Sequence, residues 1–285
     1  MRALGRIAEP PATLAAAGTQ ARRRRRRRSG ALLGALGAVA ILLVVVGAWE
    51  LYADLSGIDP AILPAPHAVA KAAWLDRGLL WDNLVTTGGE VLLGILVAGT
   101  AGFVLPVVLH LSSPLRRSVY PLLVVSQVIP VVLIAPLLVT WLGFGIAPKL
   151  VVIGLVCFFP IVVTTLDALS RVDPELPKLM RTLDASRLRI LRHVELPAAL
   201  PGLFSGAKVA VTFAPIGAVF AEWVGSSSGV GHLVQQAIPQ LLTARAYAAV
   251  LILSAFAIAL FGLLTLAERL LVPWAHEPSR QGRNR

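Results

Sequence analysis

The chain has 285 residues, 56% hydrophobic and 14% charged, with a mean hydropathy of +0.78. A soluble domain carries about 25% charged residues, so this composition excludes an ordinary water-clothed globule. The net charge of +11 would suit nucleic acid, but seven of those charges are one arginine run at 22–28, with no aromatic residue near it to stack on bases. No nucleic-acid partner is expected.

In chain order, residues 1–30, rich in Ala, Gly, Pro and Arg, are predicted to be a disordered basic cytoplasmic tail. A like-charge block beside a membrane helix reads as a topogenic segment that attracts membrane lipids. The stretch 31–52 is then a first transmembrane helix. It exceeds a signal-peptide core and no small-x-small cleavage site follows it, so it reads as a retained anchor. Residues 53–85 form an extracytoplasmic loop, in which 68–80 is amphipathic enough to lie on a membrane surface. The core domain, 86–273, holds five further apolar stretches at 86–110, 119–142, 147–167, 203–224 and 247–273, before a short cytoplasmic tail at 274–285. Each stretch exceeds the roughly 20 residues a helix needs to cross a bilayer. The fold class is all-α integral membrane with six transmembrane helices.

Orientation follows from the basic residues. With the N-terminus inside, 22 of the 26 Lys and Arg face the cytoplasm, and only Lys71, Arg77, Lys149 and Arg245 lie outside. Both termini are therefore expected to be cytoplasmic. Trp49, Trp141, Trp223 and Trp274 fall at span ends, as interfacial anchors do. The lone Cys157 sits in apolar sequence and reads as a small buried hydrophobe. None of the five histidines stands at metal-ligand spacing from a second His, Cys or carboxylate, so neither a metal nor a cofactor is expected on this chain.

The loop 168–202 is the most polar part of the chain after the tail. Asp173-Pro174-Glu175 reads as a helix start, and Pro197 and Pro201 as the far limit of two short helices around a turn. Within it run Lys178-Leu179-Met180-Arg181-Thr182-Leu183-Asp184-Ala185-Ser186-Arg187 and then Val194-Glu195-Leu196-Pro197. This resembles the permease signature of bacterial ABC importers, the EAA loop, written E-A-A, three residues, Gly, nine residues, Ile-x-Leu-Pro. The spacing matches, while Lys178-Leu179-Met180 replaces E-A-A and Asp184 replaces the glycine. In the family that glycine occupies the turn between two coupling helices. Asp tolerates left-handed backbone better than most residues, which would preserve the turn.

The resemblance extends from about Ile62 to Pro273. Ile129-Pro130, Ala135-Pro136-Leu137-Leu138, Trp141-Leu142-Gly143-Phe144-Gly145, Phe158-Phe159-Pro160-Ile161-Val162 and Ala221-Glu222-Trp223 look like the subgroup that imports sulfonates, taurine, nitrate or thiamine-related pyrimidines. Thr164-Thr165 stands where that subgroup often has Asn-Thr. The resemblance implies a permease subunit, and hence an importer of a small polar solute in the bacterial inner membrane. Its implied partners are a second permease copy, a separate ATP-binding subunit carrying ATP and Mg, and an extracytoplasmic solute-binding protein. It also implies ATPase coupling through Lys178, Arg181, Leu183, Asp184, Ala185, Arg187, Leu196 and Pro197, and a path past Gln127, Pro130, Pro136, Pro160, Thr164 and Glu222.

Physical chemistry supports the path in part, because prolines inside spans free backbone carbonyls and intramembrane carboxylates are costly unless they face a partner or cavity. Glu222 and Glu90 both fall in the outer parts of spans, and Lys208 is close enough to the cytoplasmic end of its span to snorkel. Gly225-Ser226-Ser227-Ser228-Gly229, with His232 beyond it, formally matches G-x-S-x-G. The alternative class is therefore an intramembrane serine hydrolase using Ser227 and His232, although its elbow needs a strand and none is expected. No G-x-x-x-x-G-K-[ST] occurs, so any ATPase must reside on another chain. A proton-coupled carrier would want mid-span carboxylates or histidines, which these spans lack.

Overall fold

The computed structural model describes residues 36–276; the 1–30 tail with its arginine run, and most of the 274–285 tail, lie outside the described residues. The chain divides into two compact units, Met1–His67 and Ala68–Arg285. In the first, helix α1 (Leu36–Leu55) leaves Leu42, Leu43 and Val44 exposed, the all-round apolar surface of a helix that meets lipid. Beyond it, the Asp59 carboxylate accepts the Ala61 amide hydrogen at 2.8 Å and sets a turn.

The remaining helices are α2 (Pro66–Leu75), α3 (Arg77–Leu111), α4 (Ser113–Ser126), α5 (Val131–Leu142), α6 (Ile146–Ser170), α7 (Glu175–Thr182), α8 (Arg187–Ile190), α9 (Leu196–Gly225), α10 (Val230–Ala237) and α11 (Thr243–Leu271). Among the described residues there is no strand. Among those residues five helices are long and apolar enough to cross a membrane, or six if α4 and α5 count as one broken span. The core is α3, α6 and α9 packed together, with α11 against them. Val91, Ile153, Cys157 and Ile161 pack there on Ala210, Ala214 and Ala218, an alanine row at helical spacing along α9. Gly202 and Gly206 bring α9 closer still: a Cβ on Gly206 would lie 2.8 Å from the Pro160 carbonyl oxygen and 2.9 Å from Ile161 Cα. This small-xxx-small contact needs the missing side chains.

Three boundaries differ from the sequence reading. The stretch 119–142 is no straight span, since α4 and α5 meet at 96°. Pro130, at φ −65 and ψ 114, starts α5 and keeps the preceding residue out of helical backbone. The second span begins at Arg77 rather than at 86, because helical hydrogen bonding continues past the apolar segment that hydropathy marks. The 35 residues of α3 extend about 52 Å, well beyond a bilayer's hydrocarbon core. The 68–80 stretch is accordingly α2 plus the first turn of α3, broken at Asp76, whose carboxylate takes Arg245 at 2.7 and 3.1 Å. Finally, Pro197 and Pro201 do not end the second loop helix. Helical backbone runs unbroken over Arg187–Gly225, with a π-helical turn at Leu191–Glu195 directly ahead of the two prolines whose missing amide hydrogens interrupt the regular ladder.

Candidate functional site

The segment joining α6 to α9 carries the residues expected to couple. The Asp173 carboxylate accepts the Glu175 amide hydrogen at 2.9 Å and starts α7. At the other end of α7, Asp184 donates its backbone N–H to the Arg181 carbonyl and Ala185 to that of Met180, both at 3.0 Å, with Asp184 at φ 57. That pair of bonds around a left-handed residue is a Schellman stop, the place where glycine is usual. Lys178, Arg181, Leu183, Asp184 and Arg187 are all exposed here and Ala185 is half-buried, while Leu196 and Pro197 are half-buried at the start of α9. Leu179, Leu183 and Leu188 stand 59, 68 and 71% exposed among these cations. Arg187 also reaches back to the end of α3, donating to the Leu111 carbonyl at 2.6 Å, and His110 lies 3.2 Å from Glu195.

A second polar assembly lies at the opposite end of α6 and α9. Glu222 is fully buried on α9; it accepts the Thr87 hydroxyl and the Gly231 N–H, each at 2.6 Å. Thr87 in turn accepts the Val230 N–H at 2.8 Å, and Asn83 accepts that of Gly229 at 2.7 Å. Side chains of α3 and α9 thus satisfy the otherwise orphaned amides that open α10. Gly229, at φ 109, is required twice over, because a Cβ there would also strike the Glu222 carboxylate. Beside this network the Lys149 ammonium bridges Glu90 at 2.5 Å and Ser226 at 2.7 Å. Lys149 and the 225–228 turn line a cavity of about 610 Å³ that also takes in Phe144, Trp223, His232 and Gln235.

Several readings from the sequence change here. Lys149, counted among the outside basic residues at the start of the 147–167 stretch, is a buried partner of Glu90 in the first turn of α6. Lys208 does not snorkel; its ammonium pairs with Glu268 of α11 at 2.5 Å. Of the residues assigned to a path, Gln127, Pro130 and Pro136 are exposed on the bent α4–α5 pair, whereas Pro160 and Thr164 are half-buried on α6. The Thr164 hydroxyl donates to the Pro160 carbonyl at 2.7 Å. Glu222 is not among the residues lining the 610 Å³ cavity, and both its oxygens are engaged in anchoring α10. The structure therefore does not gather these six residues into one site. It also groups Glu50, Asp54 and His67, with ligand atoms within 4.8 Å of one another. Sequence spacing hid that group, and in it His67 is already partnered by Glu50.

Sequence reasoning missed the Glu90–Lys149 pair and the Thr87 and Asn83 caps because their partners are 59, 143 and 146 residues apart. The Gly202-x-x-x-Gly206 contact was findable by its spacing. The hydrolase pair is not assembled. Ser227 lies in a turn without a strand before it, and neither Ser227 nor His232 hydrogen-bonds to the other or to a carboxylate among the described residues.

The sequence and the fold have counterparts among known proteins. Residues 90–275 match the family described as binding-protein-dependent transport system inner membrane component. The chain is 39% identical over 223 residues to a probable ABC transporter permease protein of Haemophilus influenzae, covering 78% of this chain and 90% of that one. It is 36% identical to the riboflavin transport system permease protein of Chloroflexus aurantiacus (84% and 90% covered) and 33% identical to the formylaminopyrimidine transport permease protein of Halalkalibacterium halodurans (79% and 90% covered). Among solved structures, a chain of the inward-facing MetNI methionine ABC transporter is similar with a TM-score of 0.51 at 23% identity, over 72% of this chain and 97% of that one. An all-helical fold with one broken span among the described residues, a polar loop of importer spacing and a matching family profile lead to one conclusion: the chain belongs to the family of binding-protein-dependent transport system inner membrane components, the permease subunits of ABC importers.

Proposed function

We propose that two copies of this permease form the membrane path of an importer for an uncharged heterocyclic solute, driven by a separate ATPase that docks on the α7–α8 turn. The observation that carries the docking surface is the row of Leu179, Leu183 and Leu188, exposed in the most polar segment of the described chain. Exposed leucines ringed by Lys178, Arg181 and Arg187 are the composition of an interface with an apolar centre and a polar rim. Because Arg187–Gly225 is one helical run, a push on the turn is delivered to α9 without an intervening loop. Contacts from Arg187 to Leu111 and Glu195 to His110 deliver it to α3. The motion is a rigid-body switch of packed helices. Charge asymmetry supports placing this turn and both termini in the cytoplasm, and the solute-binding protein at the other face.

The solute class rests on relatedness. The permeases named for riboflavin and formylaminopyrimidine transport share 36 and 33% identity with this chain, against 27 and 28% for those named for aliphatic sulfonates and taurine. Co-purification tests the dock: Leu183→Asp should abolish recovery of the ATPase while membrane insertion persists, and full recovery would refute it. The solute retained by the cognate binding protein on purification tests the substrate class; a sulfonate or nitrate there would overturn it.

A further inference from the structure

We infer that the cavity between the start of α6, the end of α9 and α10 is a transit subsite whose electrostatics select an uncharged, planar, hydrogen-bonding solute and reject small anions. The inference rests on the importer reading above and adds to it a place and a reason for selectivity. The position is set by the fold. The cavity lies at the end of α6 and α9 opposite the α7–α8 turn, where a solute would be received before the helices move. Its volume of about 610 Å³ is within the range of small-molecule sites.

Its charge is the deciding feature. Lys149 is the cavity's cation, and an unmatched ammonium in a half-buried site would hold a sulfonate, a nitrate or a carboxylate. Here the ammonium is matched. Two of its three N–H groups are committed, one to Glu90 at 2.5 Å and one to Ser226 at 2.7 Å, and the Lys149 and Glu90 side chains are 8 and 7% exposed. A pair buried this deeply presents a dipole rather than a free positive charge to the cavity. The other nearby carboxylate, Glu222, is turned away and saturated by Thr87 and Gly231. An entering anion would therefore lose hydration without gaining a counter-charge.

What the cavity does offer is neutral. The His232 imidazole and the Gln235 amide have no hydrogen-bond partner among the described residues, and together they present donors and acceptors. The Phe144 and Trp223 rings supply two aromatic surfaces, with Trp223 held edge-on to Phe220 at 5.3 Å. Flat rings beside an amide and an imidazole fit a planar solute with carbonyl and N–H edges.

Binding to the intact permease–ATPase complex in lipid nanodiscs, without the binding protein, tests this with three probes: riboflavin, a formylaminopyrimidine and methanesulfonate as a small anion. The wild type should bind at least one heterocycle saturably and methanesulfonate not at all. Trp223→Ala and Gln235→Leu should each weaken heterocycle binding by roughly tenfold. Glu90→Gln, which leaves Lys149 unmatched, should bring in methanesulfonate. Tighter methanesulfonate than heterocycle binding in the wild type, no binding of any probe, or unchanged binding in both cavity variants would overturn the subsite. Uptake by the full transporter separates the two levels. Uptake of a heterocycle with cavity variants at wild-type KM refutes the subsite alone, whereas uptake of neither heterocycle by the wild type refutes the importer reading itself.

Discussion

Glu222 near the end of α9 accepts the amide hydrogen of Gly231 at 2.6 Å, across the turn that separates α9 from α10. With Thr87 on its other oxygen, the carboxylate fastens α10 to both α3 and α9. Those helices carry, at their far ends, the contacts to the α7–α8 turn. One polar anchor thus stands at each end of the same two helices.

The anchor at Glu222 should be measurable as stability. Each buried donor left without an acceptor costs about 1–3 kcal/mol. Glu222→Ala strands two, so the thermal midpoint of the detergent-solubilised protein should fall and the 226–229 turn should become sensitive to protease. Glu222→Gln, which keeps one acceptor, should fall between. An unchanged midpoint for the alanine variant would remove the anchor.

The Lys149–Glu90 pair predicts a specific non-additivity. Lys149→Met leaves a buried carboxylate alone, a loss of about 3–5 kcal/mol. Adding Glu90→Gln to Lys149→Met removes the stranded charge and should recover most of the loss. A double variant as unstable as the sum of the two single variants would show that the two residues do not interact.

Helix contact at Gly206 predicts a contrast between two glycines. Gly206→Ala places a Cβ on the Pro160 carbonyl and Thr164, and overpacking of this kind costs about 1–3 kcal/mol. Gly154→Ala meets nothing within 4 Å and should be neutral, or stabilising by up to about 1 kcal/mol through helix propensity. Thermal midpoints moving in the same direction for both would contradict the close α6–α9 packing.

Asp184, at φ 57 in the Schellman stop, should accept Gly readily, whereas Val should strain the turn by about 1–3 kcal/mol. If that strain falls on the docked state, ATPase recovery with the valine variant drops roughly five- to 150-fold. Recovery with Val at or above that with Gly would exclude a role for the left-handed turn in docking.

Ser227 should behave as an ordinary turn hydroxyl. A fluorophosphonate probe is expected to leave it unlabelled in the purified complex, because among the described residues neither His232 nor any carboxylate is hydrogen-bonded to it. Site-specific labelling would restore the hydrolase.

Hydropathy was sufficient for an all-helical membrane protein, because length and polarity are properties that a segment carries by itself, while the importer reading came from the resemblance of the 168–202 loop and the proline-bearing spans to a known family. The left-handed tolerance of Asp184 and the start of α7 at Asp173-Pro174 were legible for the same reason: a turn is decided within a few residues. The 96° break between α4 and α5 was half legible, since Pro130 marks a break but the bend angle depends on what the two halves pack against. The pairings were not legible at all. Lys149 counted only as an outside basic residue, Lys208 looked like a snorkelling cation and Glu222 like a path residue, and tertiary contact gave each a partner: Glu90, Glu268, and Thr87 with Gly231. A buried charge is tolerable only when an opposite charge or a donor arrives in space, and no local pattern specifies which distant helix will bring it. The sequence determined that these helices cross a membrane, and only their packing decided which polar groups meet inside it.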